Sequence, residues 1–427
     1  MCIDRKGTTS HGAFNALAVH QQSMRQQPEP TAVTALSYNV SIGYLRAFIT
    51  LLVVAHHAAL AYIQFAPEPP STLSGPNRIW QAFPVVDSQR SPALGLFVGF
   101  NDIFFIALMF FISGLFVWRS LQRKRAASFL RDRALRLGLP FVAAAVIVAP
   151  LAYYPTYIQS RAGGGLAGYW HEWRTLGIWP AGPAWFVWVL LAFDVIAAVL
   201  FLLAPNWGTV AGRISSGANR RPVVFFAILF ALSAVAYVPM AVAFNPFRWS
   251  AWGPFTFQTS RAIHYLIYFV LGTAIGAYGI EHGLLARDGK LARRWWLWCI
   301  GAIIAFFLAT GTGIAAMTAH VGSRAWEIAA DSMFALSCAA SSFAFIALFV
   351  RFARQRNRIL DSLNENAYGI YLVHYAFVSW MQLALLPTQL PAIAKACVVF
   401  VSAVLLSWGT VALLRRISLG LGTGRGA

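Results

Sequence analysis

Residues 42–62 read IGYLRAFITLLVVAHHAALAY, a run of 21 residues with one formal charge, Arg46. A helix of that length reaches across the roughly 30 Å hydrocarbon core of a bilayer. Arg46 and His57 stand eleven positions apart in it. At 100° per residue, eleven steps return to within about 20° of the start, so both side chains lie on one face, ~16 Å apart along the axis. Ionisable groups at membrane depth are costly, and those that persist face a bundle interior or an aqueous cavity. The stretch therefore predicts a membrane helix that aims a cation and a titratable base at an intramembrane site. His56 is turned about 100° from His57 and is the weaker candidate for a base.

The rest of the chain extends this reading. Over 427 residues, 59% are hydrophobic and 11% charged, a composition far from that of a soluble domain of this length. Windows of about twenty apolar residues predict an all-α bundle of ten transmembrane helices. They fall near 42–62, 96–118, 138–158, 183–204, 223–243, 263–280, 296–316, 329–350, 367–386 and 393–414. With the N-terminus inside, the segments on that side carry 24 Lys and Arg and those on the other side 7. Loops that stay cytoplasmic show this excess, so both termini are expected in the cytoplasm. The net charge of +19 is dispersed over these loops. A nucleic-acid partner would require a patch on a folded domain, which is not expected here. Cys2, Cys299, Cys338 and Cys397 show no CxxC spacing, and three lie in apolar runs, which argues against a disulfide framework or a metal site. Residues 1–37 are polar and read as a disordered cytoplasmic lead, with Met24 an alternative start, and 417–427 read as a short cytoplasmic tail.

Two segments expected outside, 63–95 and 159–182, are long, rich in Pro, Gly and aromatics, and poor in charge. Trp170, Trp173 and Trp179 fit either a stacking platform for a sugar ring or an interfacial aromatic belt, the commoner arrangement. No repeat relates the first five predicted helices to the last five, as inverted transporter halves would require.

Several stretches together resemble the acyltransferase-3 family of integral membrane acyltransferases, in particular the branch of glucan biosynthesis protein C type succinyltransferases. YLRAFITLLVVAHH carries the Arg-x10-His pattern in Arg46 and His57, and MFFISGLFVWRSL (109–121) is like the FF-x-SG stretch of the second helix. FLRDRALRLGLPF (129–141) supplies an Arg-x-x-Arg motif in Arg133 and Arg136. GPAWFVWVLLAFD (182–194) and NAYGIYLVHYAF (366–377) are similar to the Trp-Phe-Leu and Tyr-x-x-Tyr-Leu-x-His segments of later helices. Many members carry a Glu shortly after a Trp-Ser-Leu motif, whereas this chain reads Trp185-Phe186-Val187, with Asp194 the nearest carboxylate.

The resemblance implies that residues 38–416 form a transmembrane O-acyltransferase domain of a bacterial inner membrane. It would take acetyl, succinyl or a similar group from cytoplasmic acyl-CoA and pass it to a hydroxyl of an exported or membrane-associated glycan. Acyl-CoA would be a substrate, with no permanently bound cofactor or metal. Such chemistry needs a base, groups that hold the donor and dipoles for the oxyanion. Imidazole exchanges protons near neutral pH, which makes His57 the base candidate, with Arg46 balancing charge. Arg133 and Arg136, at the cytoplasmic entrance of the third helix, suit a CoA pyrophosphate through bidentate guanidinium contacts. His374, Asp102, Asp194 and Trp185 are supporting candidates; His374 would orient His57 or the acceptor, and one of Asp102, Asp194 and Asp331 would bond His57 or neutralise Arg46. Tyr368, Tyr371 and Tyr375 share a helix face that reads as packing. Ser113-Gly114 reads as a close helix contact. The rival reading is a proton-coupled transporter or flippase of a glycan or small metabolite, in which charged intramembrane residues are equally natural.

Overall fold

The computed structural model describes residues 39–74, 78–160, 163–318 and 323–423, so the expected 1–37 lead lies outside the described residues. Each of the ten predicted spans is a helix. They are α1 (Val40–Leu60), α2 (Pro92–Gly114), α3 (Val117–Ser160), α5 (Trp185–Leu203) after the short α4 (Gly165–Thr175), α7 (Pro222–Phe244) after α6 (Trp207–Asn219), α8 (Ala262–Tyr278), α9 (Trp295–Thr318), α10 (Arg324–Phe352), α11 (Arg358–Leu385) and α12 (Ala392–Thr423). Eight are long and apolar enough to cross a membrane, nine when α8 and the segment bent from it count as one span. The remaining one, α11, carries Asn366, His374, Ser379 and Gln382, all buried. Its polar face is turned inward. The described sheet structure is one antiparallel hairpin, β1 (Trp249–Trp252) with β2 (Phe255–Gln258).

Local signals set the helix starts. Asn39 caps α1 by accepting from the Ile42 amide, and Asn357 caps α11 by accepting from Ile359 and Leu360. Pro92 and Pro222 open α2 and α7, where a missing N–H costs nothing. The third helix departs most from expectation. It runs from Val117 and breaks at Arg125 (φ 60°). Two five-residue π segments follow, Ala134–Gly138 and Ala144–Val148, with Pro140 between them. Arg133 and Arg136, expected at a helix entrance, therefore sit inside the helix, and Arg136 lies in the first π segment. Proline removes one ladder bond, and a π turn is a common way for a helix to absorb such a defect. The last helix continues through 417 to Thr423, so part of the expected tail is helical.

Small residues let α2 and α8 run side by side. A Cβ on Gly114 would overlap the Phe269 carbonyl, on Gly272 that of Phe111, and on Gly276 that of Leu115. The close contact expected at Ser113-Gly114 is thus made by Gly114. Helix α1 lies at the centre, against α2, α10, α11 and α12. At the end where α1 starts, here the lower end, Ser41 bonds the Ala353 carbonyl and Tyr44 bonds Asp361 (2.9 Å), while Arg415 reaches Asn366 (3.0 Å).

At the upper end the segments after α1 and α3 fold into a cap. Val86 exchanges amide bonds with Gln159, Ser91 N–H donates to Tyr62 O, and Lys395 of α12 pairs with Asp87 at 2.7 Å. Trp173 is buried among Tyr153, Tyr169 and Trp179, while Trp170 stays 41% exposed. The Trp179 indole donates to Ala145 O, and the Tyr169 hydroxyl, its pKa pushed up by burial, donates to Pro150 O. This corrects the picture of three tryptophans as one open platform or belt: Trp173 is core, and the cluster holds α4 onto α3.

Candidate functional site

His57 lies in the last two turns of α1 and is half-buried. Its Nδ1 is 2.8 Å from the Val53 carbonyl, one turn back on the same helix. A carbonyl only accepts, so in the neutral ring Nδ1 carries the proton and Nε2 is left as the base. His374 of α11 repeats the pattern: its Nδ1 is 2.7 Å from Tyr371 O, which turns its unprotonated Nε2 toward His57 Nδ1 at 3.2 Å. The His57 N–H is thus shared between Val53 O and His374 Nε2. No described residue bonds His57 Nε2. Tyr375 stands edge-on to the His57 ring at 5.0 Å, and Gln382 donates to the His57 and Ala58 carbonyls at 2.9 and 3.2 Å. Tyr371, Tyr375, Val378 and Gln382 follow one face of α11, which explains why one helix supplies all these contacts.

A closed circuit of contacts surrounds this pair. His56, edge-on to His57 and stacked on Phe105, neighbours Asp102 of α2. The Asp102 carboxylate accepts from Arg261 at 2.7 Å, and Arg261 also donates to the Asp102 backbone carbonyl at 3.0 Å. Tyr265 lies against Arg261 and stacks on Trp185, centroids 6.1 Å apart, and Trp185 is edge-on to Trp249 of the hairpin. Phe186 follows Trp185 and packs on Tyr371, whose hydroxyl bonds Pro183 O. Tyr371 in turn accepts from His374. Helices α1, α2, α8, α5 and α11 thus contribute to one ring, with Phe110 packed on both Phe186 and Tyr265.

The expected cations lie toward the lower end. Arg46 is exposed and donates to Asn364 Oδ1 at 2.8 Å. Arg133 pairs with the fully buried Asp194 at 3.2 Å, while Arg136 is exposed. Asp102 and Asp194 pair with Arg261 and Arg133 rather than with His57 or Arg46. Asp331 sits near Arg261 instead. The residue that does meet His57 is His374. The longer α11 sets it sixteen residues from the helix start, beyond the inner half where a helix from 367 would put it. Tyr371 and Tyr375 are buried and Tyr368 is 39% exposed, so packing accounts for two of the three.

Sequence reasoning passed over Arg261, Tyr265, Trp249 and Gln382. Arg261 offered a signal, an arginine at the edge of the apolar run with His264 three residues on. His264 forms its own buried group, with Ser233 Oγ 2.8 Å from Nδ1 and Cys338 Sγ 3.5 Å from Nε2. Among the described residues no three His, Cys, Asp or Glu side chains converge as a metal site.

In comparison with known proteins, the acyltransferase-3 family model, described as an acyltransferase domain, matches residues 39–412. No similar curated protein and no similar solved structure was found for this chain.

Proposed function

The chain belongs to the acyltransferase-3 family, and we propose that this multi-pass membrane acyltransferase carries an acetyl, succinyl or similar group from cytoplasmic acyl-CoA to a hydroxyl of an exported or membrane-associated glycan. The lower end of the bundle then faces the cytoplasm of a bacterial inner membrane, with both termini on that side, in line with the Lys and Arg excess of its loops.

The observation that carries the reading is the unbonded Nε2 of His57. As the acceptor hydroxyl attacks the thioester carbonyl, Nε2 takes its proton. Collapse of the tetrahedral adduct breaks the C–S bond, and the CoA thiolate recovers that proton from His57. The product is an ester and CoA thiol, with no net proton gained or lost. The imidazolium formed between the two steps keeps its Nδ1–H on Val53 O and His374 Nε2, so the ring is held in one orientation throughout. His374 is on this reading a positioning residue. Arg46, ~16 Å below His57 along α1, acts with Arg133 and Arg136 on the donor's phosphates, and the pantetheine arm covers the distance to the base.

The test is mass spectrometry of envelope glycans and lipids from cells with and without the gene, complemented by wild type or by His57→Ala. The expected result is a mass difference of one acyl group that wild type restores and His57→Ala does not. Full rescue by His57→Ala would remove His57 as the base.

A further inference from the structure

We propose that the part of the ring built by Asp102, Arg261, His56 and Trp185 is the acceptor subsite, and that it takes an uncharged sugar ring. This rests on the acyl-transfer reading above and assigns one of its two substrates to residues.

Asp102 and Arg261 form an ion pair at 2.7 Å, yet the two side chains differ sharply in exposure, 44% for Asp102 against 3% for Arg261. At this depth in the helix a carboxylate facing lipid would be costly, so the exposure of Asp102 beside a buried partner argues for a polar, ligand- or water-filled side rather than a lipid-facing one. Arg261 binds one carboxylate oxygen, Oδ2, and no described residue bonds Oδ1. The His56 side chain is buried with Nδ1 lacking a partner, and Arg261 Nε is likewise buried and unpaired. Buried polar atoms are normally satisfied, so a cluster left open beside the base points to a ligand that completes it.

The chemistry of the cluster selects the ligand. It offers an acceptor in Asp102 Oδ1, a donor in Arg261 Nε, and in His56 Nδ1 a group able to serve as either. Vicinal hydroxyls, each both donor and acceptor, match that set. A phosphate or carboxylate does not, because Asp102 already neutralises Arg261 and no free cation remains in the cluster. Trp185 supplies the second element of a sugar site. It is half-exposed, stacked on Tyr265 at 30° and braced edge-on by Trp249 at 85°. A braced indole presents a flat apolar face to the C–H side of a pyranose at little cost in side-chain freedom. The His56 ring lies 5.4 Å from that of His57, so a sugar held here brings a neighbouring hydroxyl toward the base.

The experiment uses the full-length protein in phospholipid vesicles, with acetyl-CoA or succinyl-CoA as donor and thiol release as readout. Acceptors are dodecyl glucoside, methyl glucoside and 1-dodecanol, which carries a hydroxyl but no sugar. The wild type should use the glucosides at least tenfold better in kcat/KM than dodecanol. Better use of the dodecyl than the methyl glucoside identifies a membrane-anchored sugar as the source, and the reverse a free one. Asp102→Asn and Trp185→Ala should each raise the glucoside KM by tenfold or more, with the donor KM held. Trp249→Ala, at a 48% exposed position, should move it in the same direction if loss of the Arg261 partner prevents Asp102→Asn from folding. Glucosides no better than dodecanol, or an unchanged glucoside KM in Trp185→Ala and Trp249→Ala, would overturn the subsite while leaving acyl transfer standing. No thiol release with any acceptor would overturn the acyltransfer reading and the subsite with it.

Discussion

Replacing Lys395 by Met should open the upper cap without displacing the helices beneath it. Lys395 Nζ and Asp87 Oδ2 are 2.7 Å apart, and each side chain is 1% exposed. Asp87 also holds the cap in two other ways: its N–H donates to Ala61 O at 3.0 Å, and its Oδ1 accepts from Gln89 N at 2.8 Å. Methionine keeps most of the length of lysine and removes the charge, leaving a buried carboxylate with one backbone donor. Breaking one side of such a pair costs about 3–5 kcal/mol, which is on the order of 10²- to 10⁴-fold in the closing equilibrium of the segment. Hydrogen exchange read by mass spectrometry on a peptide spanning 83–92 reports this directly, since the Asp87 and Ser91 amides are bonded to the end of α1. Exchange there should accelerate by about that factor in Lys395→Met, while peptides from α2 and α10 keep their protection. The double variant Lys395→Met/Asp87→Asn removes the orphaned charge and keeps an acceptor for Gln89, so it should recover most of the loss. Unchanged exchange in Lys395→Met, or a double variant no better protected than the single, would show that the pair does not latch the cap.

His57→Ala should abolish acyl transfer, a loss of about 10²-fold or more, while acyl-CoA binding measured by calorimetry stays near wild type; lost donor affinity would instead make His57 a donor contact. His374→Gln keeps an acceptor for the His57 N–H and should retain several-fold more kcat than His374→Leu, so equal kcat in the two would reduce His374 to a packing residue. Arg133→Ala should lower both donor affinity and melting temperature, because it strands Asp194, which is fully buried. Adding Asp194→Asn should restore the melting temperature but not the affinity, and recovery of both would remove Arg133 from the donor site. Gly276→Val should destabilise the fold by roughly 1–3 kcal/mol through overpacking, since its Cβ would overlap the Leu115 backbone, whereas Gly409→Ala, with open space around it, should be neutral in the same thermal assay.

What the sequence disclosed follows from the range of each interaction. The face shared by Arg46 and His57 is a property of one helix and could be read from a spacing of eleven. So could the helices themselves, most of them from apolar length, which is local, although α11 is the least apolar of the ten. The ends of α3 and α11 could not be placed by hydropathy, since both helices run on through charged residues, Arg119–Arg136 in one and Arg358–Glu365 in the other. The partners were hidden for a different reason. Asp102 and Arg261 are 159 positions apart and His57 and His374 are 317 apart, and nothing periodic joins them. Three aspartates were equally eligible to meet His57, and composition does not say which arginine each prefers.

The pairing that resulted constrains the chemistry. Asp102, Asp194 and Asp87 are each paired with a cation far away in the sequence, Arg261, Arg133 and Lys395. Among the described residues, the base is left with a neutral imidazole as its side-chain hydrogen-bond partner. A carboxylate at that position would stabilise a resting imidazolium and hold the proton there. A neutral acceptor fixes the tautomer without offering that charge, so on the proposed acyl-transfer reading the positive charge on His57 would be balanced by the oxyanion or thiolate of the reacting pair itself. His57 on this account is charged only while both substrates are present, and a bound donor with no acceptor gives it no hydroxyl to deprotonate. The comparison of His374→Gln with His374→Leu tests the orienting half of this argument, and His374→Glu tests the other half, since a carboxylate with the reach of the imidazole should slow return of the proton to the thiolate and lower kcat even though the hydrogen bond is kept.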